Sequence, residues 1–184
     1  MGKLQIAPYT YLFLALILTV LPAQWWLGTI LAAGIHELGH YVTIRLLGGR
    51  VISMHFFPGT VKMEFLGLSR AGEALSALAG PLASLLLARL LPVYPEIRIC
   101  AAVQGIYNLL PVYPLDGGRI LCCLIPTSIC RGIEVFTLVF LWGLGIWVSV
   151  NYAAGLLGFI PAFSATLQRC MRNIPCKDRL FAVQ

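Results

Sequence analysis

Residues 30–45 read ILAAGIHELGHYVTIR and place a His-Glu-x-x-His pattern, formed by His36, Glu37 and His40, inside an apolar stretch. Residues four apart lie on one face of an α-helix, so both imidazoles can reach one metal ion while Glu37 flanks the same site. Ionisable groups are costly at membrane depth and normally face a partner or a water-filled cavity. The stretch therefore predicts a metal site carried by an apolar helix.

The composition around this stretch is typical of a membrane protein. Hydrophobic residues make up 59% of the chain, charged residues 11%, and the mean hydropathy is +0.87. The net charge of +6 is scattered among the connections between apolar runs, so we expect no nucleic-acid partner. The six cysteines lack the paired spacing of a structural zinc site, and we interpret them as small apolar side chains.

Apolar runs between helix-breaking residues predict an all-α polytopic membrane protein with about six transmembrane helices of roughly 20 residues each. We expect one membrane-embedded domain over residues 1–184, with no separate soluble domain and a retained first helix. The predicted spans are about 8–23, 25–47, 71–91, 97–125, 132–150 and 152–168. As one helix, residues 132–168 would be roughly 55 Å long, so we divide them at Asn151 and Gly155.

Basic residues form four clusters, which precede the first span, surround the second connection, follow the fourth span and end the chain. Six spans place all four clusters on one side, which the positive-inside rule makes cytoplasmic. The sequence therefore predicts a multi-pass protein of the bacterial cell membrane with both termini in the cytoplasm.

Residues 51–66 differ from the rest because apolar and polar residues alternate on either side of Pro58-Gly59. This pattern predicts a β-hairpin associated with the membrane. An open strand edge cannot face lipid, so the hairpin is expected at the cytoplasmic surface or along a hydrated cavity. There it could pair with an unwound substrate segment as an added strand. His55 lies on the polar side and is interpreted as a surface residue.

A catalytic zinc ion usually has a third protein ligand, and we predict Asp116, taken as the one other acidic residue deep in an apolar segment. Pro111 and Pro114 break the preceding helix, which allows Asp116 to approach a metal held by another helix. In the alternative, Asp116 caps the helix that resumes at Gly117. Asn108 is predicted either to bind substrate or the developing oxyanion, or to make a helix-helix hydrogen bond.

Three ordered motifs resemble the site-2 protease family of intramembrane zinc metalloproteases. They are HELGH at 36–40, Ala-Gly-Pro at 79–81 and NLLPVYPLDGG at 108–118. Residues 49–59 resemble the hairpin of the short branch of this family, typified by the stage-four sporulation protease that processes a membrane-tethered pro-sigma factor. Two departures are Ser84, where members often carry Asn, and Thr60, where they often carry Gly.

The resemblance implies regulated intramembrane proteolysis with one Zn²⁺ per chain. The implied partners are a membrane-tethered protein substrate, membrane-protein regulators and the lipid bilayer, with cleavage inside the bilayer or at its cytoplasmic edge. The implied roles are metal ligation by His36, His40 and Asp116, general base catalysis by Glu37, and substrate contact by Asn108, Pro114, Phe57 and Gly59.

Two other functions use the same buried groups. A catalytically inactive scaffold would recognise membrane segments without cutting them, but the intact metal motif argues against it. A transporter or proton relay would use the His, Glu and Asp side chains as ion sites, but the sequence shows no duplicated pair of broken helices.

Overall fold

The computed structural model describes residues 3–6, 15, 19, 22–57, 60–152 and 159–170. Within these residues the strands are β1 (Lys3–Ile6), β2 (Arg50–Phe57) and β3 (Thr60–Leu66). The longer helices are α1 (Ala23–Leu46), α2 (Arg70–Leu90), α3 (Pro95–Asn108), α4 (Asp116–Leu124), α5 (Thr127–Tyr152) and α6 (Ile160–Cys170). Most of the predicted first span and the Pro58-Gly59 turn lie outside the described residues. The chain is thus mostly helical with a small sheet, as predicted.

Each described helix overlaps a predicted apolar run, but the bounds differ: α5 begins at Thr127 rather than at 132, and α6 covers Ile160–Cys170 where 152–168 is predicted. Pro111 and Pro114 do interrupt the fourth run, which forms α3 and α4 with residues 109–115 between them. The expected turn at Asn151 and Gly155 does not include Asn151, because α5 continues to Tyr152, whereas Gly155 lies outside the described residues. The Asn151 side-chain nitrogen donates to the Trp147 carbonyl one turn earlier at 2.8 Å, so this amide is accommodated within the helix.

The two strands of the predicted hairpin are present as β2 and β3, and they belong to a sheet of three strands in the order β1-β2-β3, of which β1 was not predicted. Strands β2 and β3 pair antiparallel, with Phe57 opposite Thr60 and Met54 opposite Met63. Strand β1 pairs parallel with β2. Strand β2 is therefore central in the described sheet, and β3 has an outer edge that is not paired within it.

The described contacts divide the chain into two compact units, Met1–Asn108 and Leu109–Gln184. In the first unit, α1 packs against α2 and α3. The side chains that α1 buries recur every four residues, at Gly28, Ala32, His36, His40 and Ile44. A Cβ atom at Gly39 would lie 2.7 Å from the carbonyl oxygen of Ala79, so this glycine allows α1 and α2 to approach closely.

In the second unit, side-chain pairs connect neighbouring helices. The Cys122 and Cys130 sulfur atoms are 3.0 Å apart and join α4 to α5. The Trp142 indole nitrogen donates to Thr166 Oγ1 at 3.1 Å and joins α5 to α6.

Two described helices, α2 and α5, are long and apolar enough to cross a membrane by length and composition. Among the described residues, these criteria therefore identify two spans, fewer than the six or so predicted. Helix α1 is long enough, but Gln24, His36, Glu37 and His40 lower its hydropathy, whereas α3, α4 and α6 have 14, 9 and 11 residues.

Candidate metal centre

The structure brings together the three predicted metal ligands. One ligand atom from each of His36, His40 and Asp116 lies within 4.8 Å of the other two, and all three residues are buried. Two imidazoles and a carboxylate are a ligand set that zinc accepts in catalytic sites. This group is therefore able to hold a metal ion.

His40 is oriented by the backbone of α2. Its Nδ1 atom is 2.7 Å from the carbonyl oxygen of Ser76. A carbonyl oxygen can only accept a hydrogen bond, so Nδ1 carries the proton and the neutral ring presents the lone pair of Nε2. The tautomer set by Ser76 is the one in which Nε2 can bind a metal ion.

His36 is oriented by a side chain of α2. Its Nδ1 atom is 3.0 Å from the Ser84 hydroxyl, and Ser84 is fully buried. A hydroxyl can accept from Nδ1–H, which leaves Nε2 of His36 for the metal. Both histidines thus have a hydrogen-bond partner on α2, as metal-binding histidines usually do.

The separation of the two Nε2 atoms fits a metal ion. They lie 3.2 Å apart. Two nitrogens each 2.0–2.1 Å from a tetrahedral zinc ion would be separated by about 3.3 Å. The donor atoms therefore fit the ion that the sequence predicts.

Asp116 is the first residue of α4, and the N-cap position is taken by Leu115. The alternative in which Asp116 is the N-cap residue is therefore not the observed arrangement. Arg119, one turn later, donates from Nη1 to Oδ1 of Asp116 at 3.3 Å. A carboxylate has two oxygens, so this contact is compatible with metal binding through the other.

Two glycines allow the chain before Asp116 to lie against the first turn of α4. A Cβ atom at Gly117 would overlap the backbone of Leu109 and Leu110, and one at Gly118 would overlap the backbone of Val112 and Tyr113. The segment 109–113 thus contacts the helix turn that carries Asp116. This explains locally why two glycines follow the aspartate.

Glu37 is half-buried on α1, next to His36 in the chain and three residues before His40. At 100° per residue its side chain points about 60° away from that of His40, on the flank of the buried stripe. This placement is consistent with the predicted base, and the role itself stays a prediction.

The structure gives less information about the roles of the predicted substrate-binding residues. The Asn108 side-chain nitrogen donates to the Gln104 carbonyl within α3 at 3.0 Å, and Pro114 is half-buried in the segment between α3 and α4. Phe57 ends β2, and Gly59 lies outside the described residues. Their substrate contacts stay predictions.

His55 belongs to a polar cluster on the sheet. Its Nε2 atom is 3.1 Å from Ser53 Oγ, and this hydroxyl donates to Glu64 Oε2 at 2.6 Å. His55 was interpreted as a surface residue, and its side chain is 24% exposed.

Glu134 is a buried acidic residue that the sequence analysis missed. It lies in α5, is 1% exposed, and accepts a hydrogen bond from the backbone nitrogen of Tyr113 at 2.8 Å. The statement that Asp116 is the one other deep acidic residue was therefore wrong. The signal that could have revealed Glu134 is a carboxylate inside the apolar run 132–150.

The chain is similar to known proteins in sequence and in fold. No protein-family model matches the chain. A zinc metalloprotease of Methanocaldococcus jannaschii is 28% identical over 103 residues, which cover 47% of this chain and 30% of that protein. A solved site-2 protease structure from the same organism superposes with a TM-score of 0.66 at 20% identity, covering 95% of this chain and 94% of that one.

The chain has the site-2 protease fold. The resemblance stated from the three motifs is thereby confirmed for the fold. The curated relative is matched over less than a third of its length.

Proposed function

We propose that this protein is a zinc-dependent intramembrane endopeptidase that hydrolyses peptide bonds in membrane-tethered proteins. The observation that carries the proposal is the buried group of His36, His40 and Asp116, beside Glu37. The match to a relative named as a zinc metalloprotease supports the choice of metal and of reaction.

The reaction needs a base near the attacking water and a metal at the carbonyl. Zinc bound at the site would lower the pKa of a bound water towards about 7 and polarise the substrate carbonyl. Glu37 would accept the proton of the attacking water and deliver it to the leaving amine. Ser76 and Ser84 hold the two imidazoles in the orientation that ligation needs.

The distribution of polar and apolar side chains supports a location in a membrane. The buried side chains include His36, Ser84 and Glu134, whereas Leu86 is 58% and Phe136 71% exposed. A water-soluble domain keeps most of its large apolar side chains inside and its charged ones outside. Lipid around the helices accounts for the exposed apolar faces, and the buried ionisable groups have partners within the protein.

A core of six spans with cytoplasmic termini extends this proposal. Two helices, α2 and α5, qualify as spans by length and composition, and the positive-inside rule applied to the four basic clusters supports this orientation. A cysteine introduced at position 178 should resist labelling by a membrane-impermeant reagent added to sealed cells.

The outer edge of β3 is the proposed docking strand for an unwound substrate. Strand β1 occupies one side of β2, which leaves β3 at the other edge of the described sheet. Peptide bonds in a regular helix are hydrogen-bonded and shielded, so cleavage requires an extended segment. Backbone hydrogen bonds to β3 would hold that segment open.

The decisive experiment compares the wild type with Glu37→Gln. Both proteins, purified in detergent, should contain about one zinc ion per chain by metal mass spectrometry. Membrane proteomes from cells that carry each form should differ by cleavage products present with the wild type alone. A wild-type protein without zinc, or identical proteomes, would contradict the proposed function.

A further inference from the structure

We propose that Glu134 is a positioning residue that fixes Asp116 by binding the backbone of the segment before it. The inference deepens the proposed function and rests on it where metal affinity is concerned. It starts from an ionisable side chain that is 1% exposed and lies inside the apolar helix α5. Such a group is costly unless its hydrogen-bonding capacity is used.

Glu134 supplies the hydrogen-bond acceptor for one of the backbone N–H groups of residues 111–115. Pro111 and Pro114 have no N–H group, so this segment carries three donors. The Val112 nitrogen donates to the Leu110 carbonyl at 2.8 Å, and the Leu115 nitrogen donates to the Val112 carbonyl at 2.9 Å. The third donor, on Tyr113, is bound by Glu134.

The segment transmits this constraint to the metal ligand. Tyr113 is 8% exposed, so its N–H group has no ready substitute in bulk water. The backbone of Val112 and Tyr113 lies against Gly118, where even a methyl group would not fit. Gly118 is in the same helical turn as Asp116, so a shift of Tyr113 displaces the turn that carries the carboxylate.

The interaction requires a hydrogen-bond acceptor at position 134. A backbone N–H group needs an acceptor, and a carboxylate is a strong one. Glutamine keeps an acceptor oxygen at the same distance from the backbone, whereas leucine keeps the size without an acceptor. The pair Glu134→Gln and Glu134→Leu therefore separates the hydrogen bond from simple packing.

The first measurement is zinc affinity, determined by competition with a chromophoric chelator. Glu134→Leu should bind zinc about 10- to 100-fold more weakly than the wild type, the range found when a ligand-orienting partner is lost. Glu134→Gln should recover most of this loss. The matched control is Thr137→Val, which removes another buried polar group of α5 whose hydroxyl bonds within the helix at 2.8 Å.

The second measurement does not depend on zinc. Hydrogen-deuterium exchange of the metal-free protein should be faster in residues 109–118 of Glu134→Leu than in the wild type or Thr137→Val. Equal exchange and equal zinc affinity in the leucine variant would overturn the inference. If Glu134→Leu exchanges faster but the wild type binds no zinc, the role of Glu134 in holding residues 109–118 is supported and the proposed function is overturned.

Discussion

Gly80 lies against the imidazole ring of His40, in space that a Cβ atom would fill. Because α2 has no side chain at this position, the ring can reach both the Ser76 carbonyl and the neighbouring His36. We expect Gly80→Ala to displace the ring and to lower zinc affinity by at least about tenfold. Chelator competition on the purified protein measures this effect.

The matched control for that substitution is Gly34→Ala. A Cβ atom there meets nothing within 4 Å, and alanine favours a helix over glycine by about 1 kcal/mol. Wild-type zinc affinity in Gly80→Ala would show that the ring has room to move.

Ser84→Ala should weaken metal binding by about tenfold, because His36 loses the hydroxyl that orients its ring. Thr29→Val is the control, since its hydroxyl donates within α1 to the Trp25 carbonyl at 2.9 Å. Isothermal titration of the metal-free proteins with Zn²⁺ gives both affinities. Equal zinc affinities of Ser84→Ala and the control would show that Ser84 does not contribute to metal binding.

Asp116→Asn and Glu37→Gln should have different phenotypes. The first replaces an anionic ligand by a neutral amide in a buried site, so zinc content should fall. The second keeps the shape of a group that is not a ligand, so zinc should stay near one equivalent while cleavage falls by about 100-fold or more. The prediction fails if Asp116→Asn retains both metal and activity.

Met63→Pro tests docking at the outer edge of β3. Phe57 pairs with Thr60, and two residues lie between them in the chain. In a hairpin with a two-residue loop, the pair next to the loop is a hydrogen-bonded pair. Alternation then makes Met54 and Met63 a non-hydrogen-bonded pair, so the Met63 N–H points away from β2.

Proline at position 63 should therefore preserve the hairpin and remove one outward donor. We expect cleavage to fall while zinc stays bound. Met63→Ala, which keeps the N–H group, should cleave like the wild type. Full activity of Met63→Pro would exclude strand addition at this edge.

The Cys122 and Cys130 thiols should form a disulfide when the purified protein is treated with diamide. Their sulfur atoms are 3.0 Å apart, so a movement of about 1 Å brings them to bonding distance. The two thiols lose two electrons and two protons, which reduce diamide to its hydrazine. Mass spectrometry of the digested protein should find this pair linked, and linkage of Cys122 to another residue would contradict the packing of α4 against α5.

The three members of the candidate metal site could be predicted from sequence because local rules locate each of them. The four-residue spacing of His36 and His40 puts them on one helix face, and two prolines mark the break before Asp116. The approximate positions of the described helices could be predicted from the apolar runs for the same reason. These features depend on the periodicity and stiffness of the backbone, which a short window of sequence reveals.

The partners of those ligands depend on tertiary packing. No spacing rule indicates that Ser76, Gly80 and Ser84 would be the residues of α2 that face the histidines. The partner of Glu134 could not be predicted, because it is a backbone group of another segment. Strand β1 has four residues and pairs with a distant strand, so periodicity gives no signal for it.

The residues that α2 presents to the histidines are spaced four apart, as the histidines themselves are. Helices lined with small residues can slide by four residues, about 6 Å, and still pack closely. Here a slide in either direction would bring Ser76 or Ser84 to the place of Gly80, where a Cβ atom does not fit beside His40. The metal centre thereby selects one alignment of α1 and α2 from several that apolar packing alone would accept.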